Sequence, residues 1–397
     1  MATYLDHAAT TPLRPEAAAA MLPWLTERFG NPSGSHAVAR AARAAIDDAR
    51  DVVAATLGVD PGGVIFTGGG TEADNLAITG VLAARQPPGT ATTTGAAGGV
   101  VVCSAIEHHA VLHAAEAAAR ASGGATECRI VAVHPDGTID LDRLAEALDP
   151  TVTVVSIMLA NNEVGTIQPF ASIAPLVRRR APNAVLHTDA VQAFPWLDVR
   201  EAAKRADLIS VSAHKFGGPQ GTGVLAVGTD VALAPIIHGG GQERDRRSGT
   251  HNVAGIVGMA AAMQATAAER DATVVRVRRL RDRLADELLR ITPGSTETGD
   301  RAAKIAGNCH LCFDGIESEA LLVLLDDAGV YASAGSACAS GAMDPSHVLV
   351  AMGIDRRRAL GSLRLSLGHT TTDDDVELAL KVVPDAVARL RESAAAN

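Results

Sequence analysis

The chain has 397 residues, of which 45 are acidic and 35 basic, so its formal charge is −10 at pH 7. That length allows a large domain plus a smaller one, and a hydrophobic content of 47% excludes a generally disordered chain. The acidic balance excludes a broad nucleic-acid-binding surface, so we expect no direct nucleic-acid partner. The basic residues include only four lysines, and any reaction that needs a lysine amine must use Lys204, Lys215, Lys304 or Lys381.

The N-terminal sequence MATYLDHAATTP has neither the basic nor the apolar region of a signal peptide. The chain also lacks a run of about 20 apolar residues, the length that would span a bilayer. We therefore expect a cytoplasmic protein with no membrane partner.

Predicted strands alternate with predicted helices over the first part of the chain. A helix over 36–57 ends before Gly58, and a strand over 64–67 leads through three glycines into a helix over 71–84. This alternation is typical of parallel βαβ units, so we predict an α/β fold with a large, doubly wound, mainly parallel sheet in residues 16–262. Further strands are predicted at 99–105, 125–133, 152–160, 184–190, 207–215 and 221–228, and helices at 108–121, 141–148 and 172–181.

A second, smaller α+β domain is predicted over residues 263–397, with the N-terminal segment 1–15 packed on it. Apolar residues recur with helical spacing over 273–290, and Arg283–Glu287 on the same stretch has the spacing of an ion pair on an exposed helix face. Strands follow at 308–315 and 362–368, and helices at 317–329 and 373–390.

Residues that follow the predicted strands are the first candidates for a site, because ligands of a doubly wound sheet bind beyond the carboxyl ends of its strands. Three glycines precede the helix at 71–84, where free backbone N–H groups suit a phosphate. A plain helix-capping turn explains the same glycines. Gly68-x-Gly70-x-x-Ala73 also fits a loose dinucleotide pattern, but the acidic residue expected about 20 positions later is missing.

Two further strand ends carry residues with a specific chemistry. Lys215 ends one strand and precedes flexible glycines, and a lysine in that position can form an imine with an aldehyde cofactor. Asp189 ends another strand, and a pyridoxal ring needs a carboxylate on its ring nitrogen. Each residue alone also fits an ordinary role, as a surface lysine or a helix-capping aspartate. Together with the glycine turn they outline a pyridoxal phosphate site.

The five cysteines are too few for a disulfide scaffold. Cys309 and Cys312 form a C-x2-C pair within a predicted strand, with no second pair at zinc spacing, so we expect no metal site. Cys338 differs from the others because it stands in a small, polar, Gly-rich stretch that is typical of an exposed loop.

Ordered motifs along nearly the whole chain resemble those of the cysteine desulfurases, in the class-V aminotransferase group of fold-type I pyridoxal phosphate enzymes. The stretch around Cys338 is similar to the group I type, whose cysteine lies on a long loop. The motifs are YLDHAATTP (4–12), FGNPSGSH (29–36), FTGGGTEADNLAI (66–78), EHHAVL (107–112), NNEVGTIQP (161–169), DAVQ (189–192), SAHKFGGPQGTG (212–223), GGGQERDRRSGT (239–250), AGSACAS (334–340) and GSLRLSLG (361–368).

The resemblance implies pyridoxal 5′-phosphate as the cofactor and assigns a role to each matching residue. Lys215 would bind the cofactor covalently, His108 would stack on its ring and transfer protons, and Cys338 would be the nucleophile. Thr250 would reach the phosphate of the other subunit, which implies a homodimer. The remaining roles are a ring-nitrogen partner, Asp189; O3′ contacts, Gln192 and Asn162; phosphate ligands, Gly70, Thr71, Ser212 and His214; a clamp for the substrate carboxylate, Arg364; and the site entrance, Asn31 and His36.

The activity implied by the resemblance is conversion of L-cysteine to L-alanine, with the sulfur carried as a persulfide on Cys338 to an acceptor protein. Iron–sulfur cluster assembly, tRNA thiolation and another sulfur-dependent biosynthesis all remain open as the acceptor pathway. A selenocysteine lyase would share the cofactor site without requiring Cys338. A sulfur carrier with a vestigial site is disfavoured by the full set of expected site residues, and a dehydrogenase would have to bind a nicotinamide.

Overall fold

The structure is a computed structural model that describes residues 2–85, 98–335 and 345–396. Within these ranges, seven strands form one large sheet in the order β2-β8-β7-β6-β5-β3-β4. The strands are β2 Val64–Thr67, β3 Gly99–Ser104, β4 Thr126–Val131, β5 Val152–Ser156, β6 Val185–Asp189, β7 Leu208–Ser212 and β8 Gly223–Val227.

Parallel pairing dominates the large sheet, as the alternating pattern predicts. Strands β3 to β7 pair in parallel, and β5, β6 and β7 are buried along their whole length, as expected when helices cover both faces. Strand β8 is the exception, because it runs antiparallel to both β2 and β7. Only residues 213–222 connect β7 to β8, which is too short for a helical crossover.

One helix of 21 residues, Ala37–Leu57, and several shorter ones accompany the large sheet. Helix α2 ends at Gly58, whose φ of 73° allows the left-handed C-cap that closes the last turn. The predicted helix over 71–84 is observed as one continuous run, in which Leu76–Gly80 is wound as a π-helix. The helices are α1 Pro15–Thr26, α2 Ala37–Leu57, α3 Gly70–Asn75, α4 Val81–Ala84, α5 His109–Ala121, α6 Leu141–Ala147, α7 Phe170–Arg180 and α8 Val199–Ala202.

The C-terminal part contains an antiparallel sheet in the order β12-β10-β9 and a parallel pair formed by β1 and β11. None of the helices in the described ranges combines the length and apolarity needed to cross a membrane. The strands and helices are β1 Thr3–Tyr4, β9 Ser295–Glu297, β10 Asn308–Phe313, β11 Val330–Tyr331, β12 Ser362–Ser366, α9 Val253–Ile291, α10 Ser318–Asp327, α11 His347–Ala351, α12 Arg356–Ala359 and α13 Asp373–Ala396.

The predicted boundary between the two domains, after residue 262, falls inside helix α9. This helix runs unbroken from Val253 to Ile291 and joins the two parts. Its first half packs on α1 and α2, and its second half packs on β10 and α13. Arg283 forms ion pairs with Asp373 and Glu377 of α13 rather than the predicted pair with Glu287, because α13 lies against this face of α9. The exact domain boundaries remain a prediction.

The N-terminal segment contacts both parts of the molecule. Its first residues pair with β11, and the backbone N–H of His7 donates to the carbonyl of Ser366 in β12. Farther along, the backbone N–H groups of Thr11 and Arg14 donate to the carbonyls of His214 and Gly217, at distances of 2.9 and 2.8 Å. The segment therefore spans the region between the large and small sheets.

A buried carboxylate holds the segment that carries the GGGQERDRRSGT motif. Glu243 and the next two residues have positive φ angles of 50°, 58° and 62°, a region that non-glycine residues rarely adopt. The Glu243 carboxylate accepts hydrogen bonds from Arg50 at 2.7 and 2.9 Å, from His251 at 2.6 Å and from the Phe66 N–H at 3.1 Å. Burial opposes its charge, but the His251 and Arg50 hydrogen bonds outweigh burial and lower its pKa to about 2.

Replacing Glu243 with alanine should lower the free energy of unfolding by about 3–5 kcal/mol, because Arg50 would remain buried without its partner. The Glu243 pKa rises from about 2 in the folded chain to an ordinary 4.5 on unfolding. The contribution of this pKa difference to the free energy of unfolding is therefore complete above pH 4.5 and is lost as the pH falls toward 2. Urea denaturation at several pH values measures both effects.

Arg143→Ala is the matched control, since it breaks an exposed ion pair with Glu146 and should cost less than about 1 kcal/mol. A Glu243→Ala variant as stable as the parent protein at pH 7 would contradict the structural role of this carboxylate.

Candidate functional site

A cavity of about 330 Å³ lies at the carboxyl ends of β5, β6 and β7, between the large sheet and β12. Its position is the one expected for a ligand of a doubly wound sheet. Ten of the residues predicted from the sequence line it: Gly70, Thr71, His108, Asn162, Asp189, Gln192, Ser212, His214, Lys215 and Arg364.

The other four predicted residues are not part of this cavity lining. Asn31 and His36 are exposed and accept local hydrogen bonds, His36 from a backbone N–H in the first turn of α2 at 3.2 Å. Thr250 is exposed at the end of the motif held by Glu243. Cys338 lies outside the described residues. The roles of these four residues stay predictions.

Lys215 stands in a single 3-10 turn, Ala213–Lys215, directly after β7. Its amine donates hydrogen bonds to the backbone carbonyls of Ala8 at 2.6 Å and Ala9 at 2.8 Å. Gly217 follows with a φ of 84°, and a Cβ there would stand 2.5 Å from the Arg14 side chain. The tight turn and the N-terminal segment together direct the amine toward the cavity.

Asp189 ends β6 beside the same cavity and is almost fully buried. Burial raises the pKa of its carboxyl to about 6, against the opposing effects of the Val191 N–H, which donates to it at 2.8 Å, and of the Lys215 charge. Gln192 follows on the next turn, and its Oε1 is buried with no hydrogen-bond partner in the described part of the chain. A buried acid and an unsatisfied amide oxygen thus face a space large enough for a ligand.

A glycine cradle and two hydroxyl-bearing residues form another wall. Gly69 has a φ of 151°, and a Cβ on Gly70 would stand 2.9 Å from the Val191 side chain and 3.4 Å from that of Ser212. Thr71 lies in the first turn of α3. Backbone and hydroxyl donors around a space that only glycine leaves open suit an anion such as phosphate.

Two histidines at the cavity are neutral near pH 7. Burial, followed by the charge of Lys215, lowers the pKa of both His108 and His214 to about 4. His108 caps α5, and its Nδ1 accepts a hydrogen bond from the Ala110 N–H at 3.1 Å. The proton of the neutral imidazole therefore resides on Nε2, which leaves His108 able to donate one hydrogen bond and to accept a proton only with difficulty.

Arg364 supplies a buried cation from β12, with a side chain only 2% exposed. Its Nη2 donates to Asp6 at 2.9 Å and its Nη1 to the Asn162 carbonyl at 3.2 Å. A guanidinium has five N–H donors, and Nε is buried here without a partner among the described residues. Spare donors on a fixed guanidinium suit a substrate carboxylate.

Eight residues that line the cavity were not among the predicted site residues, and these include Asp74, Glu163 and His347. Asp74 lies one helical turn after Gly70, on the same face of α3, and burial together with the charge of Asp189 raises its pKa well above the ordinary value. Glu163 directly follows Asn162 in the NNEVG motif. Asp74 could have been predicted from its helical spacing to Gly70. Glu163 could have been predicted because it is adjacent to Asn162, which was already a predicted site residue. His347 offered no comparable signal.

The comparisons with known proteins agree with this arrangement. Residues 3–379 match the family model described as aminotransferase class-V. The "IscS-like cysteine desulfurase" of Mycobacterium tuberculosis is 44% identical over 396 residues, covering 99% of this chain and 98% of that protein. The "Cysteine desulfurase IscS" of Methanosarcina thermophila is 42% identical over 390 residues, covering 98% and 93%. A solved structure named "NIFS-LIKE PROTEIN" has a TM-score of 0.89 and 32% identity, covering 98% of this chain and all of that one.

These similarities extend over nearly the full length of the chain, as the ordered motifs do. The predicted fold, a large doubly wound sheet with a smaller α+β part, is confirmed by the structural match. The resemblance drawn from the sequence is likewise confirmed by the family model and the relatives. The chain belongs to the class-V aminotransferase family and, within it, to the cysteine desulfurases.

Proposed function

We propose that the cavity around Lys215 binds pyridoxal 5′-phosphate and converts L-cysteine to L-alanine, with the sulfur leaving as a persulfide on Cys338. The observation that carries the proposal is the convergence of three groups on one cavity: the lysine amine, the buried Asp189 carboxylate and the buried Arg364 guanidinium. These are the groups that a pyridoxal cofactor and an amino-acid substrate require.

The cavity residues fit this cofactor. The amine of Lys215 would bind the aldehyde, and Asp189 would pair with the ring nitrogen. Gln192, whose Oε1 has no partner in the described structure, would meet the ring hydroxyl side together with Asn162. The phosphate would occupy the cradle formed by Gly70, Thr71, Ser212 and His214. When bound, the cofactor withdraws electrons from the Cα of the substrate and so makes its proton acidic.

The chain's own residues would orient the substrate and move its protons. Arg364 would hold the carboxylate of cysteine through its remaining N–H donors. The Lys215 amine would then take the Cα proton and return a proton to the product. His108, neutral and with its proton on Nε2, would stack on the ring and assist these proton transfers.

Sulfur transfer would occur at Cys338. Its thiolate attacks the sulfur of bound cysteine, the C–S bond of the substrate breaks, and an S–S bond forms on the enzyme. Protonation of the remaining three-carbon fragment yields alanine, so one cysteine and one enzyme thiol give one alanine and one enzyme persulfide. A free cysteine has a pKa of about 8.5, so the thiolate needs a nearby proton acceptor or positive charge.

Several partners belong to the same proposal. We infer a homodimer in which Thr250 reaches the phosphate of the partner subunit's site, and a cytoplasmic location. The persulfide would pass to an acceptor protein, in iron–sulfur cluster assembly, tRNA thiolation or another sulfur-dependent pathway. A solved structure named "SspA in complex with cysteine", 29% identical over 93% of this chain with a TM-score of 0.77, supports cysteine as the substrate.

Lys215→Ala should abolish covalent cofactor binding. The purified parent protein should be yellow and should carry a borohydride-reducible bond at Lys215, whereas the variant should show neither property and should lose activity by at least about 100-fold. Lys204→Ala is the matched control, because this lysine is exposed next to α8 and pairs with Glu201, away from the cavity. A colourless parent protein with no reducible bond would overturn the cofactor assignment.

Cys338→Ser should stop persulfide formation while leaving cofactor binding intact. We expect alanine production from cysteine to fall by about 100-fold or more, because the hydroxyl is a far weaker nucleophile at neutral pH. Anaerobic assays of alanine, with mass spectrometry of the Cys338 peptide, measure both outcomes.

Cys128→Ser, at a half-buried thiol on β4, serves as the control and should retain parental rates. If Cys338→Ser released sulfide from cysteine at the parental rate, chemistry of the selenocysteine lyase type, which needs no cysteine nucleophile, would replace this proposal.

A further inference from the structure

A second and smaller cavity, of about 30 Å³, lies on the far side of Lys215. Lys215, Gln192 and Ala8 line both this rear cavity and the larger one in which the cofactor would bind, so they form the wall between the two. The rest of its lining comes mainly from the N-terminal segment, helix α9, the start of β10 and the chain at the end of β12. The rear cavity has no role in the proposed function.

Three buried polar atoms at the rear cavity have no hydrogen-bond partner among the residues that the structure describes. They are His7 Nδ1, Arg270 Nε and Asn308 Oδ1. His7 is 4% exposed and Asn308 is 1% exposed, and none of the three residues lines the larger cavity. Buried polar atoms are nearly always paired, either with the protein or with ordered water. Three unpaired atoms on one small cavity therefore point to a polar ligand.

The hydrogen-bonding character of these atoms selects the kind of ligand. Arg270 Nε carries a hydrogen and can only donate. The Asn308 Nδ2 group donates to the Glu163 carbonyl at 2.8 Å, which fixes the amide and leaves Oδ1 to accept. A metal ion would be repelled by the guanidinium, and an anion would be repelled by the amide oxygen. The ligand must therefore be neutral and must both accept and donate hydrogen bonds.

The size of the rear cavity restricts that ligand to water. A buried water molecule needs about 10–15 Å³ of such space, so the cavity has room for about two waters and is too small for an amino acid. The third atom agrees with water, because burial lowers the pKa of His7 to about 4 and a neutral imidazole can either accept or donate at Nδ1. Three polar partners are about the number that a buried water usually has.

The lining of the rear cavity reaches from the surface of the molecule to the amine of Lys215. Arg270 and Thr273 of α9, and His369 after β12, are half-buried, whereas Ala8 is buried beside the lysine. Water in the rear cavity would thus lie between solvent and Lys215, on the side of the lysine that faces away from the larger cavity.

We propose that the rear cavity binds about one or two ordered water molecules, held by the three unpaired atoms of His7, Arg270 and Asn308. Through these waters, the amine of Lys215 would exchange protons with solvent. This second step rests on the proposed function of Lys215 as the group that moves the Cα proton. After Lys215 takes that proton, its ammonium gives one proton to the rear water and receives one from it. The amine keeps its proton count, and the proton that it returns to the product comes from solvent.

A high-resolution crystal structure of the protein as purified tests the water site without any turnover. Ordered water density within hydrogen-bond distance of His7 Nδ1, Arg270 Nε and Asn308 Oδ1 is the expected result. Crystals soaked in sodium bromide provide a second arm, because a heavy anion in the rear cavity would give an anomalous peak there. Either an anomalous peak or a rear cavity without density would overturn the proposal.

Thr273→Leu should displace the water, because a larger apolar side chain would fill the half-buried end of the rear cavity. Crystals of this variant should show no ordered water there. With cysteine deuterated at Cα as the substrate in ordinary water, the fraction of deuterium retained in the alanine should rise at least about twofold over the parent protein. Deuterium is retained when Lys215 returns it to carbon before it exchanges, and mass spectrometry of the alanine measures that fraction.

Ala272→Leu is the matched control, because this neighbouring residue of α9 is exposed and does not line the rear cavity. It should keep both the water and the parental deuterium fraction. His7→Phe is a second test variant, which keeps an aromatic ring and removes one polar partner of the water. It should also raise the retained deuterium fraction.

The possible failures are distinguishable. Equal deuterium retention in the parent protein, Thr273→Leu and His7→Phe would show that protons reach Lys215 by another route, and the exchange inference would be wrong. A parent protein that releases no alanine from cysteine would instead contradict the proposed function. In that case the crystal structures would still decide whether the rear cavity holds water.

Discussion

The half-buried amine of Lys215 constrains how the N-terminal segment lies over the large sheet. Removing an ammonium from water costs several kcal/mol unless hydrogen bonds and an opposite charge compensate. Here the backbone carbonyls of Ala8 and Ala9 accept its hydrogen bonds, and Asp189 supplies a carboxylate at the same cavity. The carbonyls come from the start of the chain and the amine from its middle, so the N-terminal segment must close over the turn after β7.

That closure explains why the N-terminal segment links the two sheets. Residues before His7 pair with β11, and residues after Ala9 donate to the backbone around Lys215. The segment also supplies Asp6, which binds the Arg364 guanidinium of β12. The cation that would hold a substrate carboxylate and the amine that would bind the cofactor are therefore positioned by the same short stretch of chain.

Burial shapes the charges at the cavity in opposite directions. It raises the pKa values of Asp74, Glu107 and Asp189, and the first two are raised further by the charge of Asp189. It lowers the pKa values of His108 and His214. Desolvation thus favours the neutral forms of Asp74, Glu107 and the two imidazoles, whereas Asp189, with a pKa of about 6, remains mostly ionised near pH 7 beside the lysine.

Local sequence patterns were sufficient for most of the architecture and for two of the residues that line the cavity. Strand β2, helix α2 and the helical run over 70–84 were predictable from apolar periodicity and from the glycines at their ends. Lys215 and Asp189 were predictable as site residues from their positions at strand ends. Helix α1 was not predicted, since its apolar residues show little periodicity and Pro23 interrupts the sequence. The direction of β8 and the unbroken course of α9 depend on packing against distant elements, so no local pattern signalled them.

The sequence by itself determined the family, the alternating α/β order and most of the polar residues that line the cavity, because these properties reside in motifs and in periods of a few residues. Only the tertiary structure decided which groups meet across long separations. Glu163, Gly335 and Ser346 carry no motif that relates them, and they come together because the loop after β5 packs against the small sheet. Such contacts are set by how whole elements pack, and that information is not local in the chain.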